Sequence, residues 1–492
     1  EAGYLVVRNT AGGVPLGTKL CYAVGGVPNQ ITTVAIGVSL QIFLLDVVQV
    51  NASYVSMILF VSHVWDAVTD PLVGYLVSRS HRTAVGKLTP WLIFSTPFGV
   101  LSYLLLWFEP GGSMSQPPSV LWYLTSACLF ETLMSCYNIP YFSLNMFLGG
   151  DQKDRDSATA YRTTVEMLAA LVASGIQGQV VAVYNTEKQE IPVTLNRNKR
   201  VWINRWMHLI CVLSPQQKAF ITSALVMGAL FFLCSLVLFL GVKEQHAPLC
   251  SDDNVRPPYL TSLKMLMCHA PYQRLVLGFV FSVLAFQVWF QLRVSVLCPS
   301  KHDETQTCYL IFLIIMLYVC SLLFSVPVWQ AVLLRIGKKA TVFIGLSLFI
   351  PAVAIVACVP SNLPVFMTMC ILMGFSTATI FLLPWSMLPD VVDDFTMRHP
   401  TCKDLEPLFF SCFAFCGKLA RGLSVGISTM TLQFVGYRVG ACNHGDRVAM
   451  ALIVLFSPVP VALLLIGMIF FRFYPINEKQ RGQLWEQKTT IQ

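Results

Sequence analysis

The sequence predicts an all-α membrane protein, with twelve transmembrane helices arranged as two six-helix bundles. Three observations carry this. Apolar residues make up 55% of the 492 residues and charged residues only 12%, against about 25% charged in an average soluble domain. The apolar residues gather into twelve runs long enough to cross a bilayer, which takes about 20 residues each. A basic, glycine-containing turn follows the second run (Arg79 to Gly86-Lys87) and recurs after the eighth (Arg335-Ile336-Gly337-Lys338-Lys339), which argues for an internal 6+6 repeat.

The runs are 20–48, 53–78, 88–109, 118–148, 160–184, 218–242, 271–298, 308–334, 339–359, 363–388, 405–436 and 446–474. Helices are expected, because backbone groups in lipid must bond within their own segment. The runs lack the alternation of a membrane β-barrel. They divide the chain into a tail (1–19), an N-terminal bundle (20–242), a linker (243–270), a C-terminal bundle (271–474) and a second tail (475–492). The linker holds Pro248, Pro257 and Pro258. Its end, Tyr259 to Met267, reads either as a short amphipathic helix in the interface or as a plain connection. The larger share of the 33 Lys and Arg falls in the tails, the linker and the connections 79–87, 151–162, 335–339 and 391–404. The positive-inside rule puts these, and both termini, in the cytoplasm. The net charge of +8 is thereby explained without nucleic acid as a partner. No secretory leader is read in residues 1–19, and the chain does not begin with Met.

An ionisable side chain at the bilayer centre costs at least about 2.5–3.5 kcal/mol, so the few within the runs are candidate site residues. Asp66 and Asp70 in span 2 are four apart and share a helix face. Two converging carboxylates suit a monovalent cation such as sodium, or a proton. The competing reading makes Asp70 structural, because Pro71 frees a nearby carbonyl. Lys418 and Arg421 in span 11 suit an anionic headgroup or a buried salt bridge. Span 4 offers Glu131 and Asn138. Span 5 offers Arg162 and Glu166, whose spacing also allows a plain i,i+4 pair. Arg293 in span 7 is close enough to an end to snorkel. Asp390, Asp393 and Asp394 close span 10, either solvated or paired across a cytoplasmic gate. His63 reads as a hydrogen-bonded core histidine. Phe409, Phe410, Phe413 and Phe415 read as packing, or as the lining of an apolar cavity.

Most of the 16 Cys lie inside apolar runs, where Cys acts as a small hydrophobe. The external candidates are Cys211 with Cys442, and Cys298 with Cys308. The sequon Asn51-Ala52-Ser53 lies too near the membrane for ready use. Phosphate-loop, zinc-protease and serine-hydrolase signatures are absent from the sequence, so no enzyme and no cofactor are expected.

Asp66 to Gly74, Gly86-Lys87-Leu-Thr-Pro90-Trp91 and Pro384 to Phe395 resemble the glycoside–pentoside–hexuronide:cation symporter branch of the major facilitator superfamily. Cys21 to Gly26, Leu40 to Val47, Arg155 to Arg162, Leu382 to Pro389 and Gly426 to Thr429 are similar to its lysolipid-transporting subgroup, over about 20–480. The resemblance implies the major facilitator fold and transport of a lysolipid, lysophosphatidylcholine or sphingosine-1-phosphate, across the plasma membrane. It implies sodium as coupling ion at Asp66 and Asp70, and a phosphate partner in Lys418. Arg162, Glu166, Asn138 and Glu131 would be further substrate contacts, and Cys211–Cys442 the external disulfide. The expected partners are the lysolipid, sodium and membrane lipids, and the expected state is a monomer.

The sequence also departs from that subgroup. The subgroup's span-7 glutamate has no counterpart, since Val288 is followed by Trp289-Phe290-Gln291. Gly26 to Gln30 and Phe286 to Val288 are closer to sphingosine-1-phosphate exporters, whereas the Asp66/Asp70 pair is closer to lysophosphatidylcholine symporters. Two rival readings are sugar:cation symport and a non-transporting receptor or scaffold. Against the first, span 1 offers Asn29, Gln30, Thr32 and Thr33 but no central acid. The missing span-7 acid favours the second, and the retained aspartates and Lys418 oppose it.

Overall fold

The computed structural model describes residues 13–108, 116–189, 215–244, 257–296, 304–358, 363–399, 404–434, 454 and 457–476. Among them no strand forms, and a single bridge joins Thr83 to Gly86. The helices are α1 (Leu16–Val24), α2 (Val27–Ala35), α3 (Ala52–Arg79), α4 (Thr89–Leu105), α5 (Gln116–Leu144), α6 (Gln152–Gln189) and α7 (Pro215–Gly241). They continue as α8 (Tyr259–Cys268), α9 (Ala270–Val296), α10 (Glu304–Ile336), α11 (Lys338–Cys358), α12 (Leu363–Arg398), α13 (Glu406–Phe434) and α14 (Pro458–Arg472). Among the described residues each predicted run lies mainly on helix. Seven described helices are long and apolar enough to cross a membrane, and α4 and α14 are shorter apolar helices. Residues 259–267 of the linker lie in a helix, α8, which buries Ser262 and Leu266 and exposes Leu260 and Met267.

The chain divides into two compact units. One comprises Glu1–Ala23, Phe142–Thr164 and Gly241–Gln492, the other Val24–Tyr141 and Val165–Leu240. This partition differs from the boundaries read from the sequence (20–242 and 271–474), because the start of α6 packs with the C-terminal helices. The second unit is centred on aromatic rings. Phe43 lies 5.5 Å from Trp107 and 5.6 Å from Phe220, centroid to centroid. Span 1 is not a uniform α-helix there. Ile36–Leu40 and Phe43–Val47 are π-helical, a widening that local side-chain bonds must support. Buried Ser39 donates to Gln177 Oε1 at 2.6 Å, and Gln177 Nε2 donates to Ser223 at 2.9 Å, which ties that segment to α6 and α7.

In the first unit α9 packs on α13 and α14, and α12 on α10 and α11. Lipid tails are as apolar as Leu, so helix association there relies on close packing over small residues. A Cβ at Gly374 would stand 2.5 Å from the backbone oxygen of Tyr318, and Ser376 bonds to Gly345 O. The predicted repeat is visible in the two basic turns. Gly86 (φ 129°) and Gly337 (φ 87°) both adopt a backbone that favours glycine. Each precedes a buried lysine that donates to a helix carbonyl, Lys87 to Ser78 O and Lys338 to Ser386 O.

Gly374→Ala is therefore expected to lower stability by about 1–3 kcal/mol, the cost of overpacking. Gly175→Ala, where an added methyl meets open space, should leave stability unchanged or raise it. Thermal unfolding of the two detergent-purified variants, followed by intrinsic fluorescence, checks the contrast.

Candidate functional site

Asp66 and Asp70 lie one turn apart on α3, and Ser135 of α5 bridges them. Its hydroxyl donates to Asp70 Oδ1 at 2.8 Å and lies 3.4 Å from Asp66 Oδ1. Thr69 Oγ1 is 3.2 Å from Ser135 Oγ and donates to Asp66 O at 3.0 Å. Asp70 is buried and Asp66 half-buried. The shared face read from the i,i+4 spacing is thus realised, with the hydroxyl oxygens of Ser135 and Thr69 beside it. Carboxylate and hydroxyl oxygens are hard donors, which suit a cation such as sodium better than a soft transition metal.

Two further predicted residues lie on the same helix, α5. Glu131 is half-buried one turn before Ser135. Asn138 is buried and donates through Nδ2 to Asn29 Oδ1 at 2.9 Å. Glu166 of α6 is buried against the backbone of span 1. A Cβ at Gly26 would meet its Oε1 at 2.7 Å, so the glycine lets the carboxylate approach this closely. The second unit therefore brings Asp66 and Asp70 together through Ser135, and Asn138 together with Asn29.

Arg162 belongs to the first unit. It is buried, and its guanidinium carbon lies 5.1 Å from the ring centres of both Phe142 and Trp385. The two rings are 4.8 Å apart, and Phe413 meets Trp385 edge-on at 5.1 Å. Two ring faces hold a guanidinium by about 0.5–2 kcal/mol each and leave its in-plane donors directed elsewhere. Lys418 is half-buried on α13, and Arg421 is exposed one turn later. The packing reading describes Phe409, Phe410 and Phe413, which are buried, with Phe413 stacked on Phe279 at 4.4 Å. His63 is exposed, not in the core, and its Nδ1 lies 2.6 Å from Leu59 O. Trp289, in the place of an expected acid, is fully buried among Phe286, Tyr318 and Phe349. Cys211, Cys442 and Cys298 lie outside the described residues.

Sequence reasoning missed Ser135, whose only signal is its place one turn after Glu131 on a polar face. It also missed the extent of an ionic cluster at the start of α6. Lys338 Nζ lies 2.7 Å from Asp156 Oδ1 and 2.8 Å from Asp390 Oδ2. Ser386 donates to Asp156, Arg155 pairs with Asp393 at 2.9 Å, and Gln152 bonds to Asp390. Asp394 lies 2.9 Å from Arg398 and 3.2 Å from His269. The acidic end of span 10 is therefore paired rather than simply solvated.

The family described as MFS/sugar transport protein matches residues 21–478. Sodium-dependent lysophosphatidylcholine symporter 1 of Xenopus tropicalis is 44% identical, covering 95% of this chain and 88% of its own. Its Mus musculus counterpart is 41% identical, covering 94% and 86%. Sphingosine-1-phosphate transporter MFSD2B of Xenopus tropicalis is 38% identical, covering 95% and 89%. Among solved structures, the E. coli fucose:proton symporter FucP superposes with a TM-score of 0.61 at 11% identity, covering 94% of this chain and 98% of its own. The proton:xylose symporter XylE, titled a major facilitator superfamily protein, gives 0.60 at 11%, covering 95% and 98%.

Removing Lys338 would strand two buried carboxylates. Lys338→Ala is expected to cost about 3–5 kcal/mol, as for other buried pairs cut on one side. Adding Asp390→Asn should recover part of the loss. A double-mutant cycle on thermal unfolding in detergent measures that coupling, and additive losses would contradict it.

Proposed function

The chain belongs to the major facilitator superfamily, and from that membership we propose that it carries lysolipids across the plasma membrane by alternating access, with sodium as coupling ion. The cargo is lysophosphatidylcholine or sphingosine-1-phosphate, the substrates named for its relatives. The observation that carries the ion-coupled reading is the Ser135-bridged pair Asp66/Asp70. A sodium ion there would remove the repulsion between two carboxylates on one helix face, and Ser135 and Thr69 supply neutral oxygens beside them. An ion drives a transport step only when it binds one conformation better than the other, and partly buried carboxylates give that difference its size.

A lysolipid presents a phosphate, a cationic head and one apolar tail. Lys418 and Arg162 supply positive charge for the phosphate. Glu166, Glu131 and Asn138 supply acceptors for an amine, and acids or aromatic faces attract a quaternary head. The Lys338–Asp156–Asp390 cluster acts as a gate in this reading, since parting it separates the start of α6 from α11 and α12. In this reading both termini lie in the cytoplasm and the transporter works as a monomer.

A second reading follows from Trp289. With an aromatic cluster at this point in α9, the chain exports sphingosine-1-phosphate without sodium.

Uptake and release of labelled lysophosphatidylcholine and sphingosine-1-phosphate, in cells expressing the chain with sodium replaced by choline, decide between the two. Sodium-dependent uptake of the first, abolished in Asp66→Ala and Lys418→Ala, is the expected result. Ser135→Ala, which removes one of the neutral oxygens offered to the ion, should raise the half-saturating sodium concentration. Sodium-insensitive release of the second would establish the export reading. Movement of neither lipid by protein at the cell surface would refute both.

A further inference from the structure

A cavity of about 470 Å³ opens in the first unit where Gly337 turns α10 into α11. Its wall includes Lys338, Lys339, Asp390, Arg472 and Tyr474. Lys339 and Arg472 stand together in that wall, and Arg274 is a further charged neighbour of Lys339. Part of this arrangement serves the end of α14. Lys339 Nζ donates to Arg472 O at 2.8 Å and Tyr474 O at 2.9 Å, and Arg274 donates to Phe473 O. Cations at a helix C-terminus are stabilised in this way, but three exceed what those carbonyls need.

The donor count makes the surplus explicit. An ammonium has three N–H groups and a guanidinium five. Lys339 uses two on carbonyls, and the exposed Arg472 side chain makes no hydrogen bond or ion pair among the described residues. No carboxylate pairs with Lys339, Arg472 or Arg274 among the described residues. Asp390 is in the wall, but Lys338 and Gln152 hold its two oxygens. The cavity has room for more than ten waters at about 30 Å³ each, enough for a phosphate-bearing headgroup.

We propose that this cavity binds the phosphate of an anionic membrane lipid, with Arg472 and Lys339 as its principal donors. The lipid source follows from the surroundings. Ile336, on the cavity wall, is exposed, and Phe473 and Ile469 beside Arg472 are exposed apolar side chains at the end of a membrane helix. An acyl chain has an apolar surface to lie on, and its phosphate reaches the cations at the membrane edge. Basic pockets between transmembrane helices on the cytoplasmic side recognise anionic lipids in this manner. Lys338 shares the wall with Asp390 and also binds Asp156, so an anion in the cavity acts on one member of the ionic cluster at the start of α6. The binding claim needs membership of a membrane-transporter family and does not rest on the cargo or on sodium.

Native mass spectrometry of the whole chain in phosphatidylcholine nanodiscs, with and without phosphatidylinositol 4-phosphate, tests the claim. A retained phosphoinositide is expected, with affinity falling about fivefold in Arg472→Gln, the loss of one membrane-surface cation, and further in Lys339→Gln/Arg472→Gln. Arg472→Gln alone removes no described hydrogen bond, so the test survives if the double variant fails to fold. Soluble inositol phosphate or inorganic phosphate binding as tightly as the lipid would overturn the lipid assignment. Retention unchanged in folded Arg472→Gln, or no retention by the parent chain, would overturn the site.

Discussion

The ammonium of Lys338 is the point on which the first unit depends. It is buried and receives one carboxylate from α6, one from α12 and a carbonyl from α12. Taking such charges out of water costs several kcal/mol each, recovered only when geometry and further hydrogen bonds are good. Ser386 and Gln152 supply those bonds. The start of α6 is thereby bound to α11 and α12, and the residues Phe142–Thr164 pack as part of the first unit. Gly337 is the local condition for this. Its positive φ ends α10 and starts α11 within one residue, which points Lys338 inward instead of leaving it on the surface.

The second unit meets the same constraint with carboxylates in place of a cation. Asp66 and Asp70 share a face of α3 and meet a serine, where the first unit offers its acids a lysine. A hydroxyl has a single hydrogen to donate. At 2.8 Å it serves Asp70 better than Asp66 at 3.4 Å. The two carboxylates are therefore held in unequal environments by one side chain. Asp66 and Asp70 thus share one hydroxyl, where Asp156 and Asp390 share an ammonium.

The twelve helical segments were legible because lipid imposes a length and a composition on each of them. Their polar ends were not. The fifth run starts at 160 and the tenth stops at 388, whereas α6 begins at Gln152 and α12 continues to Arg398. Both missing stretches carry the ionic cluster, Arg155 and Asp156 on one side and Asp390 and Asp393 on the other. Hydropathy ends where charge begins, but the helices continue because those charges pair with Lys338 and with each other. In the site, the i,i+4 aspartates were legible from helical geometry alone. Ser135 was not, since one serine in an apolar run says nothing until the helix opposite is known. The aromatic setting of Arg162 is a tertiary fact of the same kind, for Phe142 and Trp385 are separated from it by 20 and 223 residues.

Trp289 brings these strands together. In a low-dielectric interior a buried acid needs a cation, a proton or a network of donors. At Trp289 the fold instead places the largest apolar side chain, closed off by Phe286, Tyr318 and Phe349. This aromatic cluster places no carboxylate at position 289. In the proposed sodium coupling, the oxygens are those of Asp66, Asp70 and the hydroxyls beside them. The coupling energy available is the difference in how well two conformations hold an ion at those oxygens. A site of two carboxylates and two hydroxyls can supply it without help from α9, because one positive charge relieves both the desolvation of Asp70 and its repulsion with Asp66.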